Sequence, residues 1–241
     1  MLDRLPRSPA QLVVHDEPES CPYLDSQIAR LPLRVPSRRL TRAESDTHWE
    51  QGDRRHGVLL YRPACPTCRA CEPMRVPIRD FVPGASHRRV VRRGDAVLTL
   101  RVGEPHFTSD RLALYEKHKS QRGLRLTEES RMGEAGYRGF FTESCVETLE
   151  MSYWLDERLV GIAITDRGLA SMSAVYTFFD PDLARYSLGT YSILKQMQLC
   201  KSWQLEYLYL GFYVADNAHM RYKALYKPHE LLKNGQWSRV E

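Results

Sequence analysis

The sequence predicts an α+β chain in two parts: an N-terminal Cys-rich domain, and a C-terminal domain whose mostly antiparallel sheet is flanked by helices. Two observations carry this reading. Cys65, Cys68 and Cys71 recur at every third residue, and Cys21 stands far upstream, so four thiolates converging on one soft cation would tie residues 21 to 71 into one unit. Beyond residue 105 three strand-like runs follow one another and then give way to a helical run and a further strand. With 241 residues the chain has enough material for one large core or two modest ones. The expected division is a flexible tail over 1–20, a Cys-containing domain over 21–104, and a second domain over 105–241.

The elements follow in order. Residues 1–20 mix Pro, Ser and both charges without periodicity, which reads as a loosely held tail. Thr41-Arg42-Ala43-Glu44 has the Ser/Thr-x-x-Glu form of a capping box, so a short helix runs from there through Trp49. Val58 to Tyr61 and Met74 to Phe81 read as strands flanking the Cys loop. Ser86 caps a basic helix ended by Gly94, and Val97 to Val102 alternates as a strand. A helix begins at Thr108, and Tyr137 to Phe141 forms a short aromatic one. Thr148 to Leu155, Leu159 to Thr165 and Leu169 to Phe179 are strands, the first two joined by Asp156-Glu157-Arg158 as a hairpin. Asp180-Pro181-Asp182 ends the third, Ser187 to Trp203 is a helix, Tyr207 to Tyr213 a strand, and Asn217 to Tyr226 a last helix. A meander followed by helix, strand and helix is the element order of GCN5-related acyltransferases, so a GNAT-like sheet is expected.

Composition narrows the function classes. No run reaches the roughly 18–20 apolar residues that span a bilayer, and Met1-Leu2-Asp3-Arg4-Leu5-Pro6 shows no secretory core, so a cytoplasmic location is expected. Six cysteines in a reducing compartment argue against a disulfide framework. The tight set Cys21, Cys65, Cys68 and Cys71 points to a structural zinc or an iron–sulfur cluster, with redox-sensitive thiols or plain packing as the alternatives. Cys145 and Cys200 stand alone and read as packing residues. The balance of 35 basic to 30 acidic residues gives only +5, so charge distribution is the better guide than net charge. Arg88, Arg89, Arg92 and Arg93 cover a stripe of one short helix, and such self-repulsion is offset by a polyanion; Arg54 and Arg55 extend that surface. The alternative is a solvated helix face. Gly189 and Thr190 open the helix after a strand, where free N–H groups and the helix dipole form an anion or oxyanion cradle. Close packing is the other role for a glycine there.

Longer blocks carry a resemblance. Cys21-Pro22-Tyr23-Leu24, Tyr61 to Cys65, Cys71 to Val76, Ser86 to Arg89, Ser173 to Asp182, Ser187 to Tyr191 and Tyr207 to Gly211 occur in the order seen in the bacterial aspartate/glutamate leucyltransferases and their relatives, the arginyl-tRNA-protein transferases. The likeness extends from Cys21 to about Trp237. The sequence departs where relatives read Gly-Phe-Arg-Arg-Ser-Gly and this chain has Gly52-Asp53-Arg54-Arg55-His56-Gly57. It also differs at Asp25, where Pro is usual, and in the loop Val214 to His219.

The resemblance implies transfer of leucine from leucyl-tRNA to the N-terminal amine of proteins beginning with Asp or Glu, marking them for degradation by the N-degron pathway. Arginyl-tRNA is the alternative donor. An aminoacyl ester is already activated, so the chemistry requires no cofactor; amine and ester must be held together, a proton removed and an oxyanion stabilised. The candidate catalytic residues are Tyr176, Gly189, Thr190, Tyr213 and Asp216. Arg62, Arg75 and Lys223 are the candidates for an acidic acceptor side chain, and Arg54, Arg55, Arg88, Arg89, Arg92 and Arg93 for the tRNA backbone. Expected partners are aminoacyl-tRNA and acceptor proteins with N-terminal Asp or Glu, with neither membrane nor DNA among them. Two rivals from other classes are a non-catalytic, metal-stabilised tRNA-binding protein and a coenzyme A dependent N-acetyltransferase. Against the second, Arg185 to Gly189 lacks the glycine-rich form that grips a pyrophosphate.

Overall fold

A computed structural model describes residues 8–25, 27–124 and 131–241. Fourteen strands are found among them: β1 (Gln11–His15), β2 (Pro18–Ser20), β3 (Ile28–Arg30), β4 (Leu33–Pro36), β5 (Arg54–His56), β6 (Leu59–Tyr61), β7 (Glu72–Pro77), β8 (Leu98–Gly103), β9 (Thr148–Leu155), β10 (Arg158–Arg167), β11 (Ser171–Phe179), β12 (Tyr207–Tyr213), β13 (His229–Lys233) and β14 (Gln236–Val240). The α-helices are α1 (Arg42–Glu50), α2 (Ala85–Asp95), α3 (Ser109–Gln121), α4 (Glu134–Tyr137) and α5 (Leu188–Ser202). Eight strands form one sheet in the order β14-β13-β7-β12-β11-β10-β9-β8, and every pairing in it is antiparallel except β11 with β12. The architecture is therefore α+β with a mostly antiparallel sheet and flanking helices.

Strands from the two halves of the sequence interleave. β7, directly after Cys71, pairs with β12 on one side and β13 on the other, and β8 pairs with β9. The sheet thus crosses the boundary expected near residue 104. A second sheet, β1-β4-β6-β5, carries the remaining N-terminal strands. Gln11 to His15, read as part of a loose tail, pairs with β4, and Pro18 to Ser20 pairs with β3. The described part of that segment is held by ladder hydrogen bonds that its mixed composition does not advertise.

The predicted capping box is present: the Thr41 side chain accepts from the Glu44 N–H, while Glu44 accepts from the Thr41 N–H at 2.8 Å. That helix is anchored by Asp46, which accepts from the Ala170 N–H at 2.8 Å and from Ser171 Oγ at 2.5 Å. α5 and α2 pack on one face of the large sheet, with Ile193, Leu194 and Met197 against Met74, Leu208 and Leu210. α3 and the π turn Arg138–Thr142 cover the other face, with Leu114, Tyr115 and Phe141 against Ile162, Ile164 and Phe178. Gly94 is buried because a Cβ there would lie 2.3 Å from the Tyr191 ring, which fixes how closely α2 and α5 approach.

One expected element differs, and one hairpin was not expected. The helix expected over Asn217 to Tyr226 is only a 3₁₀ turn, Arg221–Leu225. The chain then closes with the β13–β14 hairpin, whose turn holds Asn234 at φ 50° and Gly235 at φ 78°. Asn-Gly is the pair that a two-residue hairpin turn favours.

The two halves are also joined by a buried ion pair, Arg55 Nε to Asp166 Oδ2 at 2.8 Å, with both side chains 1% exposed. Thr148 Oγ1 donates to the other carboxylate oxygen at 2.7 Å. Removing one partner strands a buried charge, so Asp166→Ala is expected to cost about 3–5 kcal/mol of stability, read as the shift of a denaturant unfolding curve.

Candidate functional site

The site begins where the sheet forks. β11 and β12 run parallel for three residue pairs, Ser171 with Tyr207, Met172 with Leu208 and Ser173 with Tyr209. Beyond that β11 stays with β10 and β12 stays with β7. Both strands change register at this level, between Ile164 and Thr165 opposite β11 and between Tyr209 and Gly211 in β12. Such bulges bend a strand away from its neighbour. The gap opens into a cavity of about 840 Å³, walled by residues 174–177 of β11, residues 210–212 of β12, the start of α5, and Tyr23 and Tyr61 from the N-terminal region.

Arg54 lies at the apex of the fork. Its Nη1 donates to Ser173 Oγ at 2.6 Å and its Nη2 to the Ala174 carbonyl at 2.5 Å. Gly211, at φ +80°, lies against it, and a Cβ there would come within 3.2 Å of Arg54 Nη2. Lys223 lines the same cavity, 9% exposed, with Nζ donating to the Phe212 carbonyl at 2.5 Å. Burial, reinforced by the Arg54 charge and opposed by Cys71, pulls its pKa down to about 7. Neither cation has a carboxylate partner among the described residues, and no described residue lining the cavity is Asp or Glu.

The other wall is aromatic and apolar. Tyr176, Phe140, Phe179, Val175 and Leu188 face the cavity. The Tyr176 phenol is pushed above its usual value by burial, so it stays protonated at neutral pH. At the cavity edge α5 starts from Ser187, held in the left-handed region at φ 52° with no side-chain cap. Ser187, Leu188, Gly189 and Thr190 all line the cavity, so the uncapped first-turn N–H groups meet it. Gly189 also packs tightly, since a Cβ would stand 3.2 Å from the Phe179 ring. Tyr226 and Thr190 share a hydrogen bond at this edge, and the His87 ring stacks on Tyr226 at 5.3 Å.

Of the residues singled out from sequence, Tyr176, Gly189, Thr190, Lys223, Arg54 and Arg55 line this cavity. The others do not. Tyr213 packs against the core cluster of Met74 and Leu231, and Asp216 is exposed in the loop after β12. Arg62 is exposed, donating to the Gln51 carbonyl at 2.7 Å and meeting Asp53 at 3.3 Å. Arg75 is 7% exposed; its Nε donates to Glu230 at 2.6 Å, and its guanidinium lies 3.9 Å and 4.2 Å over the Tyr207 and Trp237 rings. Its charge is paired within the fold, and it stands outside the cavity rather than at an acceptor-binding position in it. Arg55, paired with Asp166, is likewise no surface phosphate contact, and Arg54 belongs to the fork. Arg88, Arg89, Arg92 and Arg93 are exposed on α2 and outside the cavity, although His87 of the same helix lines it.

Sequence reasoning missed Tyr23 and Tyr61. Both lie in quoted blocks, next to Cys21 and just before Cys65, but their placement depends on the fold. The four motif cysteines are electrostatic neighbours: burial first, then Cys21, Cys65 and Cys68, push the Cys71 thiol up to about 12. The donor set suits a soft cation. Among the described residues, however, no three His, Cys, Asp or Glu side chains stand in a metal-holding arrangement. Cys145 and Cys200 are buried, as expected of packing residues.

Arg75→Ala should lower stability by about 2–3 kcal/mol, below the range for a fully buried pair because Glu230 is 17% exposed, with the loss read by chemical denaturation. Lys223 gives a pH signature. Its folded-state pKa lies below its unfolded value, so the unfolded chain holds the extra proton between about 7 and 10.5 and wild-type stability rises with pH across that window. Lys223→Met should therefore be more stable than wild type at pH 6, by a margin that shrinks steadily toward pH 10. Thermal melts across that range measure it.

Comparison with known proteins bears on this arrangement. Residues 19–89 match the family described as "Arginine-tRNA-protein transferase, N terminus", and residues 110–233 its C-terminus counterpart. Curated relatives named aspartate/glutamate leucyltransferase include those of Acinetobacter baylyi, 36% identical over 92% of this chain and 82% of the relative, and Nitrosospira multiformis, 35% identical over 92% and 87%. The relative from Chromobacterium violaceum is 33% identical over 91% of this chain and 90% of its own length. Among solved structures, L-PGS from Bacillus licheniformis superposes with a TM-score of 0.46 at 15% identity, over 61% of this chain and 46% of that one, which carries no argument. By its two matched domains and these full-length relatives, the chain belongs to the arginine-tRNA-protein transferase family.

Proposed function

We propose that this protein is an aminoacyl-tRNA-protein transferase that moves leucine from leucyl-tRNA to the N-terminal amine of proteins beginning with Asp or Glu. The observation that carries the donor is the cavity lining. A leucyl side chain suits the aromatic and apolar wall of Tyr176, Phe140 and Val175, whereas an arginyl guanidinium would meet cations and no described carboxylate. The same absence of acid suits an acidic acceptor. The names and family of the curated relatives agree with this reading.

In the mechanism, the acceptor α-amine attacks the ester carbonyl carbon of leucyl-tRNA. The C–N bond forms as the C–O bond to the terminal ribose breaks. An α-amine has a pKa of about 7.7–8.0, so a useful fraction is already neutral. The first-turn N–H groups at Gly189 and Thr190 cradle the developing oxyanion. Tyr176 supplies a proton to the departing ribose oxygen and regains one from the attacking amine. A GNAT-like reading of the C-terminal part is supported by its antiparallel strands β9–β11 followed by α5 and β12, with β7 of the Cys-bearing segment in the same sheet. Cys21, Cys65, Cys68 and Cys71 would hold a zinc ion or an iron–sulfur cluster, which would supply structural cross-linking and no step of the transfer. The exposed arginines of α2 contact the tRNA backbone. Leucine added to an Asp or Glu terminus marks the acceptor for the N-degron pathway in the cytoplasm; among the described residues no helix is long and apolar enough to cross a membrane.

Transfer of radiolabelled amino acid to peptides beginning with Asp, Glu, Lys or Ala, with leucyl-tRNA and arginyl-tRNA supplied separately, tests the reading. Leucine on the Asp and Glu peptides alone is the expected result. Arginine in its place overturns the donor assignment, and no transfer from either, by anaerobically purified protein, overturns the enzyme.

A further inference from the structure

Arg54 is the cation at the fork with no carboxylate in hydrogen-bond or ion-pair contact among the described residues, although the charge of Asp166 reaches it through space. It makes two hydrogen bonds, to Ser173 Oγ and the Ala174 carbonyl, and both acceptors are neutral. A guanidinium carries five donors, so three have no partner among the described residues. Its neighbour in the same motif, Arg55, meets Asp166 and the Gly57 carbonyl, so the two adjacent arginines have opposite fates. A neutral donor would serve to tie Ser173 and Ala174 together. Keeping a charge at a site where burial pushes the arginine pKa down costs free energy that only an anion offsets.

The surroundings say what kind of anion fits. The Arg54 guanidinium is pinned from both sides of the fork, by Ser173 and Ala174 of β11 and by the backbone of Gly211 in β12. Lys223, the second cation without a carboxylate partner among the described residues, shares the cavity and is close enough for the two charges to repel. The Tyr23 and Tyr61 phenols, hydrogen-bonded to one another, feel the Arg54 charge on the N-terminal side. An apex between two strands, with a planar donor fork and two phenols, suits a terminal carboxylate on a short side chain. An internal phosphodiester carries a sugar on each side and fits the open edge near Gly189 better.

We propose that Arg54 is the specificity-determining residue for the acceptor: it binds the side-chain carboxylate of the N-terminal Asp or Glu through its unused donors. This assignment rests on the transferase reading given above. Ser173 and Gly211 are then positioning residues that fix the guanidinium plane, and Lys223 adds a second, less directional charge.

The experiment compares wild type, Arg54→Gln and Arg54→Lys in leucyl transfer to peptide pairs beginning with Asp or Asn and with Glu or Gln, alongside the Kd for leucyl-tRNA. Truncating one partner of a buried charge pair costs enough that kcat/KM for the Asp and Glu peptides should fall at least ~30-fold in Arg54→Gln. The Asp-to-Asn and Glu-to-Gln preference ratios should collapse with it, while the Kd for leucyl-tRNA changes less than about twofold. Arg54→Lys keeps the charge without the planar fork and should retain part of the preference at a raised KM for acidic peptides. An unchanged preference ratio with weakened leucyl-tRNA binding assigns Arg54 to the RNA and overturns the proposal. Equal loss on all peptides by both variants, with a lowered melting temperature, makes Arg54 structural and also overturns it. Absence of leucyl transfer by wild type is a separate outcome, and that one overturns the functional reading itself.

Discussion

Everything about the site follows from three residue pairs. The contact of Ser171 to Ser173 with Tyr207 to Tyr209 is, among the described residues, the only parallel pairing in the large sheet, and it stops where both strands change register. Had the two strands stayed together, residues 174–177 and 210–212 would face each other across a ladder, with no room for a ligand. Because each strand keeps its outer partner, the sheet remains continuous on both sides of the gap. The fork therefore costs only the ladder hydrogen bonds within it, and Arg54 takes one of the released acceptors, the Ala174 carbonyl. A chain polar group left bare would be penalised, so the arginine makes the opening tenable while pointing a charge into it.

The fork also explains why the N-terminal segment cannot be a detachable module. Arg54 and Arg55 sit on β5 in the small sheet, yet one reaches Ser173 and the other Asp166 in the large one. β7 leaves the Cys loop directly into the middle of the large sheet, beside the strand that forms one arm of the fork. The position of the thiols and the shape of the cavity are mechanically joined through six residues of β7. The chain needs its N-terminal half to close the floor of its own site.

Much of the fold was legible because its signals are local. The capping box at Thr41, the Asp156 turn between β9 and β10, and the apolar spacing of α5 depend on residues a few positions apart. The closing hairpin carries a local signal too, Asn234-Gly235, but it went unread, and a helix was expected just before it because Arg221 to Leu225 has helix-forming residues without length. The strands β1 and β2 were not legible: Leu12, Val13 and Val14 alternate with nothing, and their pairing is decided by β4, some twenty residues away. The site divides the same way. Tyr176, Gly189 and Thr190, which line the cavity, were picked out because a strand-to-helix junction is visible in sequence. The pairing of Arg55 and Arg75 was not legible because a buried, paired arginine and an unpaired one look identical until Asp166 and Glu230, over a hundred residues distant, come into place.

That contrast bears on how charge is allotted in this molecule. Arg55, Arg75 and Arg111 are each matched by a buried or half-buried carboxylate, at 2.8, 2.6 and 2.7 Å, and each ties together segments far apart in sequence. The α2 arginines are left to solvent, where a charge costs little and is available to a polyanion. Arg54 and Lys223 fit neither class. Arg54 is partly and Lys223 largely withdrawn from bulk water, with no contacting carboxylate among the described residues and none in the described lining of their cavity. Described carboxylates pair with the structural arginines and none contacts these two, which leaves the missing negative charge to a molecule that enters the cavity. An acceptor with an acidic first residue brings that charge on the same few atoms as the amine that reacts, so binding the side chain and presenting the nucleophile are one event. A donor with an apolar side chain then takes the remaining aromatic wall without competing for the cations, and the two substrates sort themselves by chemistry within a single opening.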